Sequence, residues 1–176
     1  MSIKSINSML IIMALCLAVG CSPIPKKYLR NAEPGVTLTS LQGTSSYYEG
    51  KLVILGGTIV EEEVRGGQLW FHVVNRPLDR DYRPQLPPSP NDPEGGFYWV
   101  VVGNRMNFPD SYRHWGDMLV VGRVIALVPG KEPVLQMVYV RGRGSQAEHD
   151  AAWEDAVAAN YILSSPAGAL NDMGRR

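Results

Sequence analysis

The chain has 176 residues, 17 basic and 17 acidic side chains, and a formal net charge of zero. That length suits one domain with extended ends, and the charge balance supplies no cationic excess for nucleic acid or an anionic membrane, although a local patch is compatible with a neutral total. The only cysteines are Cys16 and Cys21, which excludes a disulfide framework or a multi-cysteine zinc site downstream.

Residues 1–20 read as a signal peptide. Lys4 precedes an apolar run from Met9 to Val19, closed by Gly20, and the run is too short for a spanning helix. Cleavage before Cys21 would leave a single thiol at the head of the mature chain. That thiol has no internal disulfide partner and is poorly placed for a pocket. "LAVGC" (Leu17 to Cys21) resembles the bacterial lipobox, with Ala18 where leucine is commonest. The resemblance implies a diacylglycerol thioether on Cys21 and hence a membrane partner through that anchor. Ser22, standing where an inner-membrane retention signal carries Asp, points to the outer membrane. The alternative is an ordinary secretory signal with an incidental cysteine.

Residues 21–45 carry turn and breaker residues and few apolar ones, so an acylated tether is expected there. Residues 46–143 then carry a strong β-signal. Leu52 to Leu55, Gly56-Gly57 and Thr58 to Val60 read as one bent strand, Arg65-Gly66-Gly67 as a turn, and Gln68 to Val74 as its return. Glu61 to Glu63 are expected at the hairpin turn as a solvated charge run rather than a cation site. At a constant offset of 66 residues, "GDMLVVGRVIALVPGKEPVLQMVYV" repeats the pattern, with Gly116 on Gly50, Gly122 on Gly56 and Leu135 on Leu69. A further strand at Gly96 to Gly103 brings the count to about five. The fold class expected is mainly β, a small OB-like β-barrel with a C-terminal helix, with a two-sheet β-sandwich as the alternative.

Between the hairpins lies a proline-rich loop from Pro77 to Pro93, which cannot be a central strand. Its dense charges, Arg76, Asp79, Arg80, Asp81 and Arg83, either hold the loop to the barrel or form an interaction loop. A helix is expected over 144–165, from a Ser145–Glu148 capping box and a Trp153, Val157, Tyr161 stripe. Residues 166–176 are expected to be a flexible tail.

The elements Tyr48-x-Gly50, Gly56-Gly57-x-Ile59, Arg76-Pro77-Leu78-Asp79, Arg83-Pro84 and Tyr112-x-x-x-Gly116 before "LVVGRV" together resemble the Slp family of outer-membrane lipoproteins. The resemblance runs from about Cys21 to Tyr139 and departs at Gly96-Phe97, Ala126 and the tail. It implies an outer-membrane lipoprotein on the periplasmic face, linked to starvation or stress, and it carries over no catalytic residue.

His72, His114 and His149 share no metal-ligand spacing, so no metal or other cofactor is expected. No phosphate loop or nucleophile elbow is present either. Trp70, Phe71, Tyr98 and Trp99 fall in strands, where neighbours face opposite sides. The expected function is a non-enzymatic structural or interaction module with envelope proteins as partners. The alternative is a small binding protein for a glycan, lipid or small ligand. A large apolar cleft beside the Arg80–Arg83 loop would favour binding, and a filled barrel would favour the module.

Overall fold

The computed structural model describes residues 23–43, 47–126 and 131–164. The signal peptide, Cys21 and the tail at 166–176 lie outside them. The elements are α1 (Lys26–Asn31), α2 (Leu38–Gly43), β1 (Leu52–Arg65), β2 (Gln68–Asn75), β3 (Phe97–Val102), a 3-10 turn (Asp110–His114), β4 (Trp115–Ala126), β5 (Val134–Gly144), a second 3-10 turn (Ala147–His149), β6 (Ala151–Glu154) and α3 (Ala156–Ser164).

All six strands belong to one sheet in the order β3-β2-β1-β4-β5-β6, so the two-sheet alternative does not hold. Neighbours in that order pair antiparallel, and a parallel pairing of Trp99, Val100 and Val101 with Val134, Leu135 and Gln136 bends the sheet into a ring. β3 takes the first part of the β5 edge, and β6 takes the part from Tyr139 to Gly142.

The continuous apolar runs follow from having both faces of the sheet covered. Val53, Leu55, Phe71, Val73, Tyr98, Met118, Val120 and Met137 fill the ring. The alternate residues Leu52, Ile54, Leu119 and Val121 form a second, outer core with Ile24 and Tyr28 at one end of the chain and Ala159 at the other. A bulge in β5 assists: Val121 pairs with Tyr139 and Gly122 with Met137, so Val138 and Tyr139 both join the outer core. Phe108, Tyr112 and Trp153 close one end of the ring. Leu38 closes the other, beside Gly96.

Several expectations are corrected. Residues 23–43 are not a free tether, because Ile24, Tyr28, Leu38 and Leu41 are buried and their apolar contacts hold the segment to the sheet. The helix expected over 144–165 is confined to Ala156–Ser164. Its proposed start is a 3-10 turn, and Ala151–Glu154 extends the free edge of β5 as a strand, which buries Trp153 and leaves Val157 and Tyr161 exposed. Glu61 to Glu63 lie within β1, opposite His72, Phe71 and Trp70, and the hairpin turns at Gly66-Gly67, both at positive φ.

The repeat is half right. β1 and β4 pair with each other about a local dyad, with Gly56 opposite Leu119 and Gly122 opposite Val53, positions that the 66-residue offset interchanges. The return strands do not correspond. Leu69 pairs with Val64, but Leu135 pairs with Val124, the counterpart of Thr58, because β4 ends earlier in its hairpin than β1 does.

Candidate functional site

The Arg76–Arg83 segment folds as a knot around one carboxylate. Asp79 Oδ1 accepts the backbone N–H groups of Asp81 and Arg83, each at 2.8 Å. The Asp79 N–H donates to Arg83 O at 3.0 Å, that of Tyr82 to Asp79 O at 3.1 Å, and that of Gln85 to Pro77 O at 2.8 Å. Tyr82 takes a φ of 59° inside the knot, a conformation that side chains other than glycine adopt only when neighbours enforce it.

Arg76 ties the knot to the ring. Its Nε donates to Gln85 O, and its Nη1 lies 3.3 Å from both Thr58 Oγ1 and Gly116 O. Of the five charged residues expected here, Arg76 and Asp79 therefore hold the loop, while Arg80, Asp81 and Arg83 are exposed around it. The holding role expected of the cluster is thus seen for Arg76 and Asp79.

Two clefts flank the knot. The first, of about 290 Å³, lies between the N-terminal segment and the loop and mixes Leu29, Val36 and Ile54 with Glu33, Arg76 and Arg80. The second, of about 240 Å³, brings Arg83 beside Arg141 and Arg143 of β5, with Pro23, Tyr82 and Leu119. Arg143 Nε donates to Asp117 Oδ1 at 2.9 Å. The sequence reading missed Arg141 and Arg143. Their signal is the alternation "RGRG", which puts both on one face of a strand while Gly142 lies inward against the Trp115 ring.

The aromatic residues sort by face. Phe71 and Tyr98 are buried in the ring, where the Tyr98 hydroxyl donates to Gly56 O at 3.1 Å. On the outside, His72 stacks on Trp99 at 4.4 Å and on Phe97 at 4.9 Å, and the Arg65 guanidinium lies 4.3 Å from the Trp99 centroid. His72 Nε2 is 2.9 Å from Glu132 Oε2. Spacing along the chain could not reveal that contact. His114 stacks on His149 at 4.5 Å. Among the described residues no group of three or more His, Cys, Asp or Glu side chains is placed to hold a metal ion.

Glu94 is the other residue that sequence reading missed. Its carboxylate accepts the N–H groups of Leu38 and Thr39 at the start of α2, and Asn75 Nδ2 donates to its carbonyl at 2.9 Å. Burial pushes the Glu94 carboxyl up, yet hydrogen bonds from Thr39, Thr37 and the Leu38 and Thr39 backbone outweigh it and hold the group below the usual range.

No curated protein and no solved structure matches the chain. A family model described as outer membrane lipoprotein Slp family matches residues 18–131, which takes in the knot, both bent strands of the local dyad, and Cys21. The chain therefore belongs to the Slp family of outer membrane lipoproteins.

Proposed function

We propose that this protein is a non-enzymatic, lipid-anchored module on the periplasmic face of the outer membrane, acylated at Cys21, which meets envelope proteins through the Arg76–Arg83 loop. The observation that carries this reading is the knot, in which the Asp79 and Arg76 bonds fix the backbone while Arg80, Asp81 and Arg83 stay exposed. A rigid loop presenting charge is suited to recognition, since little ordering entropy is lost on contact. The scaffold is an OB-like barrel. In support, the ring runs β1-β2-β3-β5-β4 and closes through a parallel β3–β5 pair, with a capping turn between β3 and β4.

The anchor is tested by fractionation of a Cys21→Ala variant. No helix among the described residues is long and apolar enough to cross a membrane, so the variant is expected to leave the membrane pellet after a high-salt wash. Retention in the pellet would refute the anchor. The interaction loop is tested with a photocrosslinking residue at Arg80, which is expected to give one reproducible envelope-protein adduct that a residue at Glu49 does not give. The link to starvation or stress rests on the family resemblance. Protein abundance is expected to rise on entry into carbon starvation, and an unchanged level would remove that link.

A second reading is favoured by the 290 Å³ cleft beside the loop. It would make the protein a binder of a small glycan, lipid or other ligand there, outside the ring, whose interior is packed with buried side chains among the described residues. A ligand-dependent rise in melting temperature that Arg80→Ala abolishes would support this reading over the first.

A further inference from the structure

We propose that the cleft formed by Arg83, Arg141 and Arg143 binds the phosphate of an anionic phospholipid in the membrane that carries the anchor. The proposal rests on the reading that Cys21 is acylated. Three arginines from two elements distant in sequence line this cleft. Arg143 is pinned by Asp117, whereas no carboxylate among the described residues forms an ion pair with Arg83 or Arg141. Unpaired guanidinium groups around an apolar patch, here Leu119 and Pro23, suit a phosphodiester with glycerol carbons beside it.

Position decides the source of the phosphate. Pro23 lines the cleft, and its carbonyl accepts the Tyr139 hydroxyl at 3.4 Å. Cys21 stands two residues ahead, within roughly 7 Å of extended chain. An acyl group on Cys21 entering the bilayer would hold the cleft at headgroup depth. The following helix α1 adds exposed Lys26 and Arg30 on the same segment, with no acidic residue between Pro23 and Asn31. Lys27 is taken up by Glu154 at 2.7 Å. A cluster of this kind beside an anchor is attracted to anionic headgroups, and the neutral total charge of the chain is compatible with it because the patch is local.

The test uses protein extracted from membranes in detergent and native mass spectrometry with phosphatidylglycerol or phosphatidylcholine added to the micelles. Wild type is expected to retain one phosphatidylglycerol per chain with about tenfold preference over phosphatidylcholine. Arg83→Gln/Arg141→Gln should lose the preference with an unchanged melting temperature, and Arg141→Gln alone should lose part of it. Lys131→Gln, away from the cleft, should keep it. Equal retention of the two lipids, or a preference surviving in the double variant, overturns the proposal. Displacement of the lipid by millimolar inorganic phosphate also overturns it, in favour of a free-anion site. The same spectra read the mass on Cys21. An unmodified Cys21 with the preference intact removes only the anchor, and an acylated Cys21 without the preference removes only the lipid site.

Discussion

The backbone N–H of Leu38 donates to Glu94 Oε2 at 3.0 Å, although the two residues lie 56 positions apart. Glu94 thus adds a carboxylate to the local cap of α2, in which Thr37 Oγ1 accepts the Ser40 N–H at 3.2 Å and Ser40 Oγ accepts the Thr37 N–H at 2.9 Å, and α2 in turn lays Leu38 and Leu41 on the ring. Glu94→Gln should destabilise the fold by about 1 kcal/mol at neutral pH. Because the folded carboxyl titrates below its ordinary value, its contribution is full above about pH 4.3 and is lost as pH falls through the lower folded value. Thermal melts across that range should show an acid limb for wild type that Glu94→Gln flattens. Identical limbs would remove the carboxylate from the account.

Gly56 and Gly122 are required for space and not for backbone conformation, since neither is among the glycines at positive φ. A Cβ at Gly56 would overlap Arg76 O and lie 2.7 Å from Leu78 Cδ2. At Gly122 it would lie 2.9 Å from Leu135 Cβ and 3.3 Å from Gln136 O. Gly56→Val should cost about 3 kcal/mol, because the obstacle includes backbone that also carries the Arg76–Arg83 knot. Gly122→Val should cost about 1–2 kcal/mol, and exposed Glu49→Ala less than about 0.5 kcal/mol. Denaturant titrations rank the three. A Gly56 variant as stable as Glu49→Ala would refute the close approach.

Asp79→Ala removes the acceptor of two backbone N–H groups. The expected effect is local: trypsin should cut after Arg80 many times faster than in wild type, with global stability lowered by about 1 kcal/mol. Unchanged cleavage would mean that the proline residues alone fix the loop.

Tyr112 donates its hydroxyl to Glu62 Oε2 at 2.6 Å. Burial, followed by that carboxylate, raises its pKa above the ordinary tyrosine value. The neutral phenol is therefore favoured in the folded chain, so stability is intact below about pH 10 and falls as pH rises toward the folded value. Tyr112→Phe should lose about 1 kcal/mol at neutral pH and soften the alkaline decline. Melts at neutral and alkaline pH measure both effects.

What could be read in advance was whatever depends on neighbours in sequence. The alternation in Gln68–Asn75 and the apolar run before Gly56 specify strands directly, and the glycine pair at 66–67 specifies a turn. Burial of Ile24 and Tyr28 could not be read that way. Those residues sit among breakers and basic side chains, and only the apolar outer face of β1, β4 and β5 gives them a reason to be ordered. Ala151–Glu154 failed similarly: its alanines favour helix, but the open β5 edge beyond β3 offers hydrogen bonds that override a weak propensity. The charged cluster at Arg76–Arg83 was visible as a cluster. Its division into holding and presenting members was not, because Asp79 works through backbone groups and Arg83 finds its arginine neighbours on a distant strand.

Three register pairs close the ring between β3 and β5, whereas β4 and β5 share a long ladder from Trp115 to Ala126. The ring therefore has a seam. Opening it exposes two short strand edges while leaving both hairpins and their dyad intact, so the seam is the low-energy route for solvent to enter the core. Amide protons at Trp99 and Val101 should exchange through this partial opening, well ahead of those at Val53 and Val121. Closure also joins the segments that local hairpin formation cannot bring together, which makes it the late step in folding.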